Sequence, residues 1–205
     1  MEIEVKYHLT DEEQIDQILA DSRIQQATDL HSEEKICMKA AYFDTADRRL
    51  NREGITFRIR REDERVVATV KWNGSSEEGM HQREEINVPV DEYRLRAPDP
   101  DIFRESPMAA RMKELIGERK LELMMEADFV RRQVRLDTGD AISELSFDIG
   151  EIRVKGRTGR LSEMEIELYS GDKGVVEELG AYLSEKYGLP WENRSKFRQG
   201  LDIGK

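Results

Sequence analysis

The chain opens on an alternation of charged and apolar residues. In residues 2–9, EIEVKYHL, Glu2, Glu4 and Lys6 share one side of an extended chain and Ile3, Val5 and Tyr7 the other, which predicts a strand with its apolar side on a core. Thr10 with Glu13 spells a capping box, and Ile15, Ile18 and Leu19 give the stripe of a short amphipathic helix ending near Arg23. Strand patterning returns in 39–45 (KAAYFDT) and, after a turn at 50–54, in ITFRIRRE, where Arg58 and Arg60 lie on one face. Residues 65–72 place Val67, Thr69 and Lys71 together. A Gly, Ser and Glu loop at 74–79 joins them to 81–90, where Arg83, Glu85 and Asn87 share a face, so the pair reads as a hairpin.

A proline-rich break at 98–100 precedes a helix expected over 107–116, started by Ser106 and Pro107 and stopped by Gly117. Further strands are expected at 126–136, 141–149, 151–155 and 161–169, with turns at Gly139, Gly150 and Gly159. Asp172 caps a last helix that turns Val175, Val176, Leu179, Tyr182 and Leu183 inward and ends at Gly188 and Pro190; the remainder, WENRSKFRQGL, reads as a short basic tail. The pattern is that of a mainly β, α+β protein, and a length of 205 residues fits a single domain over 1–205.

Charge narrows the partners. With 33 Lys and Arg against 44 Asp and Glu, the net charge is −11, and a field of that sign disfavours duplex nucleic acid and anionic membranes. No apolar run approaches the roughly 18 residues of a membrane-spanning helix, and the first residues alternate where a signal peptide would be continuously apolar, so a cytoplasmic protein is expected. A lone Cys37 offers neither an internal disulfide nor a zinc site. His8, His31 and His81 lack metal-ligand spacing, and there is no GxxxxGK[ST] loop or GxGxxG fingerprint.

On any one strand, alternating charges point at water. Repeated across strands, the polar faces collect Arg58, Arg60, Lys71, Arg83 and Arg131 on some and Glu2, Glu4, Glu144, Asp148, Glu163, Glu165 and Glu167 on others. Carboxylates at i, i+2 and i+4, as in Glu163, Glu165 and Glu167, repel one another on a desolvated wall and need cations; a hard divalent ion such as Mg²⁺ or Mn²⁺ with oxygen ligands provides them. A polyanion bridging the metal and the guanidinium groups accounts for both charge types, since guanidinium forks match phosphate oxygens.

At this point the residues resemble the CYTH family, the triphosphate tunnel metalloenzymes, whose hallmark is an N-terminal ExExK strand. It is read here as Glu2, Glu4 and Lys6, and is followed in order by YFDT at 42–45, FRIR at 57–60, Lys71, Arg83 with Glu85, FVR at 129–131, Asp148, EMEIEL at 163–168 and SKF at 195–197. The resemblance implies a closed eight-stranded antiparallel β-barrel tunnel with flanking helices, holding a small-molecule triphosphate and Mg²⁺ or Mn²⁺. It implies metal carboxylates at Glu2, Glu4, Glu165 and Glu167, supported by Glu163 and Asp148. Phosphate ligands fall at Lys6, Arg58, Arg60, Lys71, Arg83, Arg131 and Lys196, with Glu4, Lys6 and Lys71 at the chemical step. The segments FVRRQ and EMEIELYSGD are closest to the bacterial inorganic triphosphatases, some of which carry an added helical domain that is not expected here. The expected activity is release of terminal phosphate from inorganic tripolyphosphate. Thiamine triphosphatase, adenylate cyclase and a non-catalytic polyphosphate or nucleotide module remain alternatives, and a homodimer, as related tunnels form, is left open.

Overall fold

The opening alternation produces strand β1 (Glu2–His8), followed by β2 (Glu34–Thr45), β3 (Thr56–Glu62), β4 (Arg65–Glu77), β5 (Met80–Pro89), β6 (Leu121–Asp137), β7 (Ala141–Val154) and β8 (Arg157–Gly171). In the computed structural model, which describes residues 1–205, these strands close into an antiparallel barrel in the order β1-β5-β4-β3-β2-β6-β7-β8. Closure removes the sheet edges and gives every strand an inside and an outside. Glu2, Glu4 and Lys6 fall inside and are buried, as are Val5 and Tyr7 on the apolar side of β1.

Outside, Val5 and Tyr7 pack beneath helix α5 (Lys173–Tyr187), in a core with Leu145, Phe147, Met164, Ile166 and Leu183. Gly180 permits the contact, because a Cβ there would stand 2.8 Å from Val5 and 2.9 Å from the Tyr7 hydroxyl. The expected N-terminal helix is two: α1 (Glu13–Leu19) and α2 (Ser22–Ala27), split where Asp21 leaves the helical conformation to cap α2. The start of α1 is secured by Gln14, whose side-chain oxygen accepts from the Thr10 backbone N–H at 3.1 Å, and by Asp11 accepting from Glu13, so Glu13 itself closes no capping box. On the far side, α3 (Arg49–Arg52), a 3₁₀ turn at Pro100–Phe103 and α4 (Ala109–Ile116) cover β3 and β4 through Leu50, Phe103, Met112 and Ile116.

Three expected turns or loops are corrected. The loop expected at 74–79 is mostly strand: β4 runs to Glu77, and only Glu78 and Gly79, both at positive φ, turn the chain into β5. Gly150 is the middle of an unbroken β7, paired with Phe129 and not a turn; a Cβ there would meet the Asp128 carbonyl oxygen at 2.1 Å, so glycine serves close strand approach. Gly159 likewise lies within β8, under Ile203.

The largest correction concerns the basic tail, which forms helix α6 (Lys196–Ile203), N-capped by Ser195. Its Phe197 joins the inward side chains Met38, Tyr42, Met125, Phe129 and Leu161 in an apolar plug, with Gly200 against Met125 and Ile152. One end of the barrel is therefore filled, and what remains of the lumen is polar. No helix is long and apolar enough to cross a membrane.

Candidate active site in the barrel lumen

The polar lumen is lined by seventeen side chains, of which only Tyr42 and Phe197 are hydrophobic, and these stack on each other with centroids 5.5 Å apart. All seven expected phosphate ligands line it: Lys6, Arg58, Arg60, Lys71, Arg83, Arg131 and Lys196. Facing them are five carboxylates, Glu2, Glu4, Glu85, Glu165 and Glu167. A chain with an excess of acids has placed a local excess of cations in this cavity.

The register explains the grouping. Glu4 stands beside Glu167 and Lys6 beside Glu165 across β1 and β8; Glu2 stands beside Arg83 across β1 and β5, and Lys71 beside Glu85 across β4 and β5. At the plugged end, Lys196 Nζ sits among Asp148, Glu163 and Glu165 at 2.8, 2.7 and 2.8 Å. Arg131 forks onto Asp148 with two bonds of 2.7 Å and adds a third of 2.7 Å to Glu165, while Lys6 reaches Glu165 at 2.7 Å. Burial alone would raise the Asp148 and Glu165 carboxyls, but Arg131 and Lys196 on the first, and Lys196, Lys6 and Arg131 on the second, hold both below the usual range. Burial would lower Lys6 and Lys196, yet the surrounding carboxylates raise both.

Toward the open end the charges separate into two poles. Lys71 bridges Glu2 at 2.6 Å and Glu85 at 2.9 Å, and Arg83 bonds Glu4 at 2.7 Å. Glu4, against the effect of burial, is pulled down to about 2, chiefly by Lys6 and with Arg83 and Lys71 adding. Glu167 makes no ion pair; burial, then the charges of Glu2 and Glu4, push it up to about 8, which marks a spot short of positive charge. The opposite pole is Arg60, drawn down first by burial and then by Arg58 and Arg131 despite its bond to Glu62. Arg58 beside it is held only by Thr69, at 3.3 Å, and its buried Nε has no partner.

Glu2, Glu85 and Glu167 bring one carboxylate oxygen each within 4.8 Å of one another. Glu2 Oε2 is buried without a hydrogen bond, Arg83 Nε at 2.9 Å being off the bonding line. Lys71 already touches two of the three, but Glu167, which has no ion pair, and the unbonded Glu2 Oε2 leave free oxygens that fit a hard divalent cation. Asp148, Glu163 and Glu165 also converge within 4.8 Å, but the Lys196 ammonium already stands among them. The carboxylates assigned to metal from the sequence thus divide: Glu2 and Glu167 join Glu85, Glu4 lies between Lys6 and Arg83, and Asp148, Glu163 and Glu165 surround Lys196.

The sequence places Glu85 on one strand face with Arg83 and gives it no metal role; in the barrel it supplies the third oxygen of that set. Gln199, buried and donating to Glu163, was hidden because the tail was not read as a helix. His81 is buried with its Nε2 on the Glu192 carbonyl at 2.8 Å, a structural contact, while His8 and the free Cys37 are exposed.

Over 168 residues the chain is 27% identical to a protein of Haemophilus influenzae named inorganic triphosphatase; the match takes in 80% of this chain and 45% of that one, so the chain spans less than half the length of that relative. Among solved structures, a Hippeastrum protein described as a candidate adenylyl cyclase with a dominant triphosphatase activity superposes with a TM-score of 0.70 at 20% identity, covering 100% of this chain and 97% of that one. A Pyrococcus horikoshii structure superposes with a TM-score of 0.59 at 19% identity, over 98% and 99% of the two chains. These likenesses establish the shared barrel. The CYTH domain profile matches residues 1–201, the stretch that carries every lumen residue described above, and the chain belongs to the CYTH domain family.

Proposed function

We propose that the protein is a divalent-metal-dependent triphosphatase that releases the terminal phosphate of a small triphosphate, inorganic tripolyphosphate foremost. The observation that carries this reading is the pair of unsatisfied poles in one enclosed lumen: Arg58 and Arg60 crowd positive charge without enough anion, and Glu167 beside Glu2 and Glu85 crowds negative charge without enough cation. A linear polyanion carrying a metal ion satisfies both at once. The name borne by the Haemophilus relative points to the same chemistry.

In this reading Arg58, with its unpartnered Nε, and Arg60, Arg83 and Arg131 take the phosphate oxygens and neutralise charge as it spreads over the transferred phosphoryl group. Lys6, beside Glu4, Glu163 and Glu165, and Lys71, bridging Glu2 and Glu85, hold the chain of phosphates in line. Glu4 stays ionised because Lys6 and Arg83 keep its carboxyl low, and so it orients a water molecule by accepting its hydrogen bond. Mg²⁺ or Mn²⁺, held by Glu2, Glu85 and Glu167, would supply Lewis-acid polarisation of a phosphoryl oxygen. Asp148, Glu163 and Glu165 fix Lys196 and Arg131 from behind.

Phosphate release from tripolyphosphate, thiamine triphosphate and ATP, with Mg²⁺, Mn²⁺ or EDTA and with cyclic AMP followed in parallel, tests this. Metal-dependent release from tripolyphosphate is expected. Cyclic AMP as the main product from ATP, or tight binding with no turnover of any triphosphate, would replace hydrolysis by cyclisation or by sensing.

A further inference from the structure

Arg58 on β3, Thr69 on β4 and Asn87 on β5 stand directly opposite one another across three neighbouring strands. Residues paired in this way share a face, so Thr69 looks inward between two side chains that line the lumen. Hydrogen bonds join the three and continue to a fourth residue. Arg58 Nη2 donates to the Thr69 hydroxyl at 3.3 Å, that hydroxyl donates to Asn87 Oδ1 at 2.7 Å, and Asn87 Nδ2 donates to Glu85 Oε1 at 2.8 Å. The path thus starts at a side chain read above as a phosphate ligand and ends at one of the three carboxylates that fit a cation.

The polarity of this path is fixed from its acidic end. Glu85 is ionised, since against the effect of burial Lys71 draws its carboxyl below the usual range. A carboxylate only accepts, so the Asn87 amide must turn its nitrogen to Glu85 and its oxygen to Thr69. Thr69 has one hydroxyl proton, commits it to that oxygen, and offers only lone pairs to Arg58, which in turn can only donate. At 0% exposure, Thr69 does this without competition from water. The two ends are oriented as a result. Asn87 on Oε1 and Lys71 on Oε2, at 2.9 Å, set the plane of the Glu85 carboxylate, while Thr69 holds one edge of the Arg58 guanidinium and leaves its buried Nε unpartnered.

We propose that Thr69 and Asn87 are positioning residues, a hydrogen-bond relay through which the grip of Arg58 on phosphate and the grip of Glu85 on a metal ion are set together. The proposal rests on the triphosphatase reading for what Arg58 and Glu85 bind. Thr69 carries the sharpest consequence, because it lies two hydrogen bonds from Glu85 and is itself no ligand of the ion.

The test reads metal binding with no substrate present. Mn²⁺ is titrated calorimetrically into wild type, Asn87→Leu, Thr69→Val, Thr69→Ser and the Asn87→Leu/Thr69→Val double variant, with the thermal midpoint of each recorded alongside. Asn87→Leu should weaken Mn²⁺ about tenfold, the lower end of what loss of an outer partner costs a metal site. Thr69→Val keeps the shape and loses the hydroxyl, and should weaken Mn²⁺ about threefold from its greater distance. Thr69→Ser keeps the hydroxyl and should restore the wild-type affinity. In the double variant the second change should add nothing, because the path is already cut. Tripolyphosphate titrated in EDTA reads the other end: Thr69→Val should weaken it about fivefold, the scale of one hydrogen bond, and Thr69→Ser should not. Asn87 is exposed, so Asn87→Leu remains folded whatever the buried Thr69→Val does, and it too should weaken tripolyphosphate by freeing the Thr69 hydroxyl. Unchanged Mn²⁺ affinity in a folded Thr69→Val or in Asn87→Leu, equal losses in Thr69→Val and Thr69→Ser, or full additivity in the double variant overturns the relay. So does a wild type that binds no Mn²⁺ or no tripolyphosphate. Neither titration needs turnover, so a protein that binds both and hydrolyses no triphosphate overturns the proposed function alone, and the variants still decide the relay.

Discussion

Asp21 shows how much one side chain outside the lumen can carry. Its carboxylate caps α2 by accepting the Arg23 N–H at 2.8 Å and also takes Lys186 at 2.6 Å, Tyr187 at 2.9 Å and Tyr182 at 3.0 Å, which joins α2 to α5. Burial works against the charged form, but Lys186, the Arg23 amide and the two tyrosines outweigh it and draw the group from 3.8 down to about 2. A carboxyl lowered on folding stabilises the protein fully above its unfolded value, and the contribution fades as pH falls from about 4 to about 2, because the unfolded chain takes up its proton first. Asp21→Asn should therefore cost about 1–2 kcal/mol at pH 7, after allowing for solvent around the half-exposed Lys186, and nearly nothing at pH 2. Urea midpoints of both proteins at pH 7, 4 and 2.5 check it; a gap that stays constant across that range would mean the carboxylate's charge is not what matters.

At the level of elements, what the sequence disclosed depended on whether a signal was local. Alternation located β1, β3 and β5 and put Arg58 with Arg60 and Arg83 with Glu85 on shared faces, because a pleat of period two needs no knowledge of the partner strand. Glycines misled where their reason was a partner: Gly150 reads as a turn, yet its lack of a side chain lets β6 pass close by. Helix α6 was missed because only a short apolar set, including Phe197, faces inward, and its Lys196 and Gln199 look solvated until the buried carboxylates they meet are known. The Gly150 reading has a direct test. With Asp128 O at 2.1 Å and Phe129 Cα at 2.5 Å from the added carbon, both of them backbone, Gly150→Ala must push β6 and β7 apart. A loss of about 3 kcal/mol or more is expected in thermal or urea unfolding, at the upper end of overpacking costs, whereas Gly139→Ala meets no atom within 4 Å and pays only for its positive φ. Equal losses at the two sites would show that β7 tolerates the side chain by bending.

The whole molecule carries a net charge of −11 and concentrates cations in the lumen, so its interior is an electrostatic balance that no single strand determines. Lys196 is the point where the balance can be probed, since it is buried among Asp148, Glu163 and Glu165 and is delivered by the last helix. Lys196→Met keeps most of the stem's volume and removes the charge, leaving Arg131 and Lys6 to compensate three carboxylates; breaking such a buried set from one side costs about 3–5 kcal/mol. Lost packing and lost charge predict different behaviour in combination. In the wild type, Glu163→Gln should destabilise, because it withdraws a partner from Lys196 and weakens the acceptor of the Gln199 side chain. In the Lys196→Met background the same change removes a carboxylate that has lost its main cation, and it should restore stability by about 1 kcal/mol or more. That reversal of sign, read from urea midpoints of the four proteins, is the signature of a charge-balanced plug. Simple addition of the two losses would instead mean that α6 closes the barrel by its apolar contacts alone.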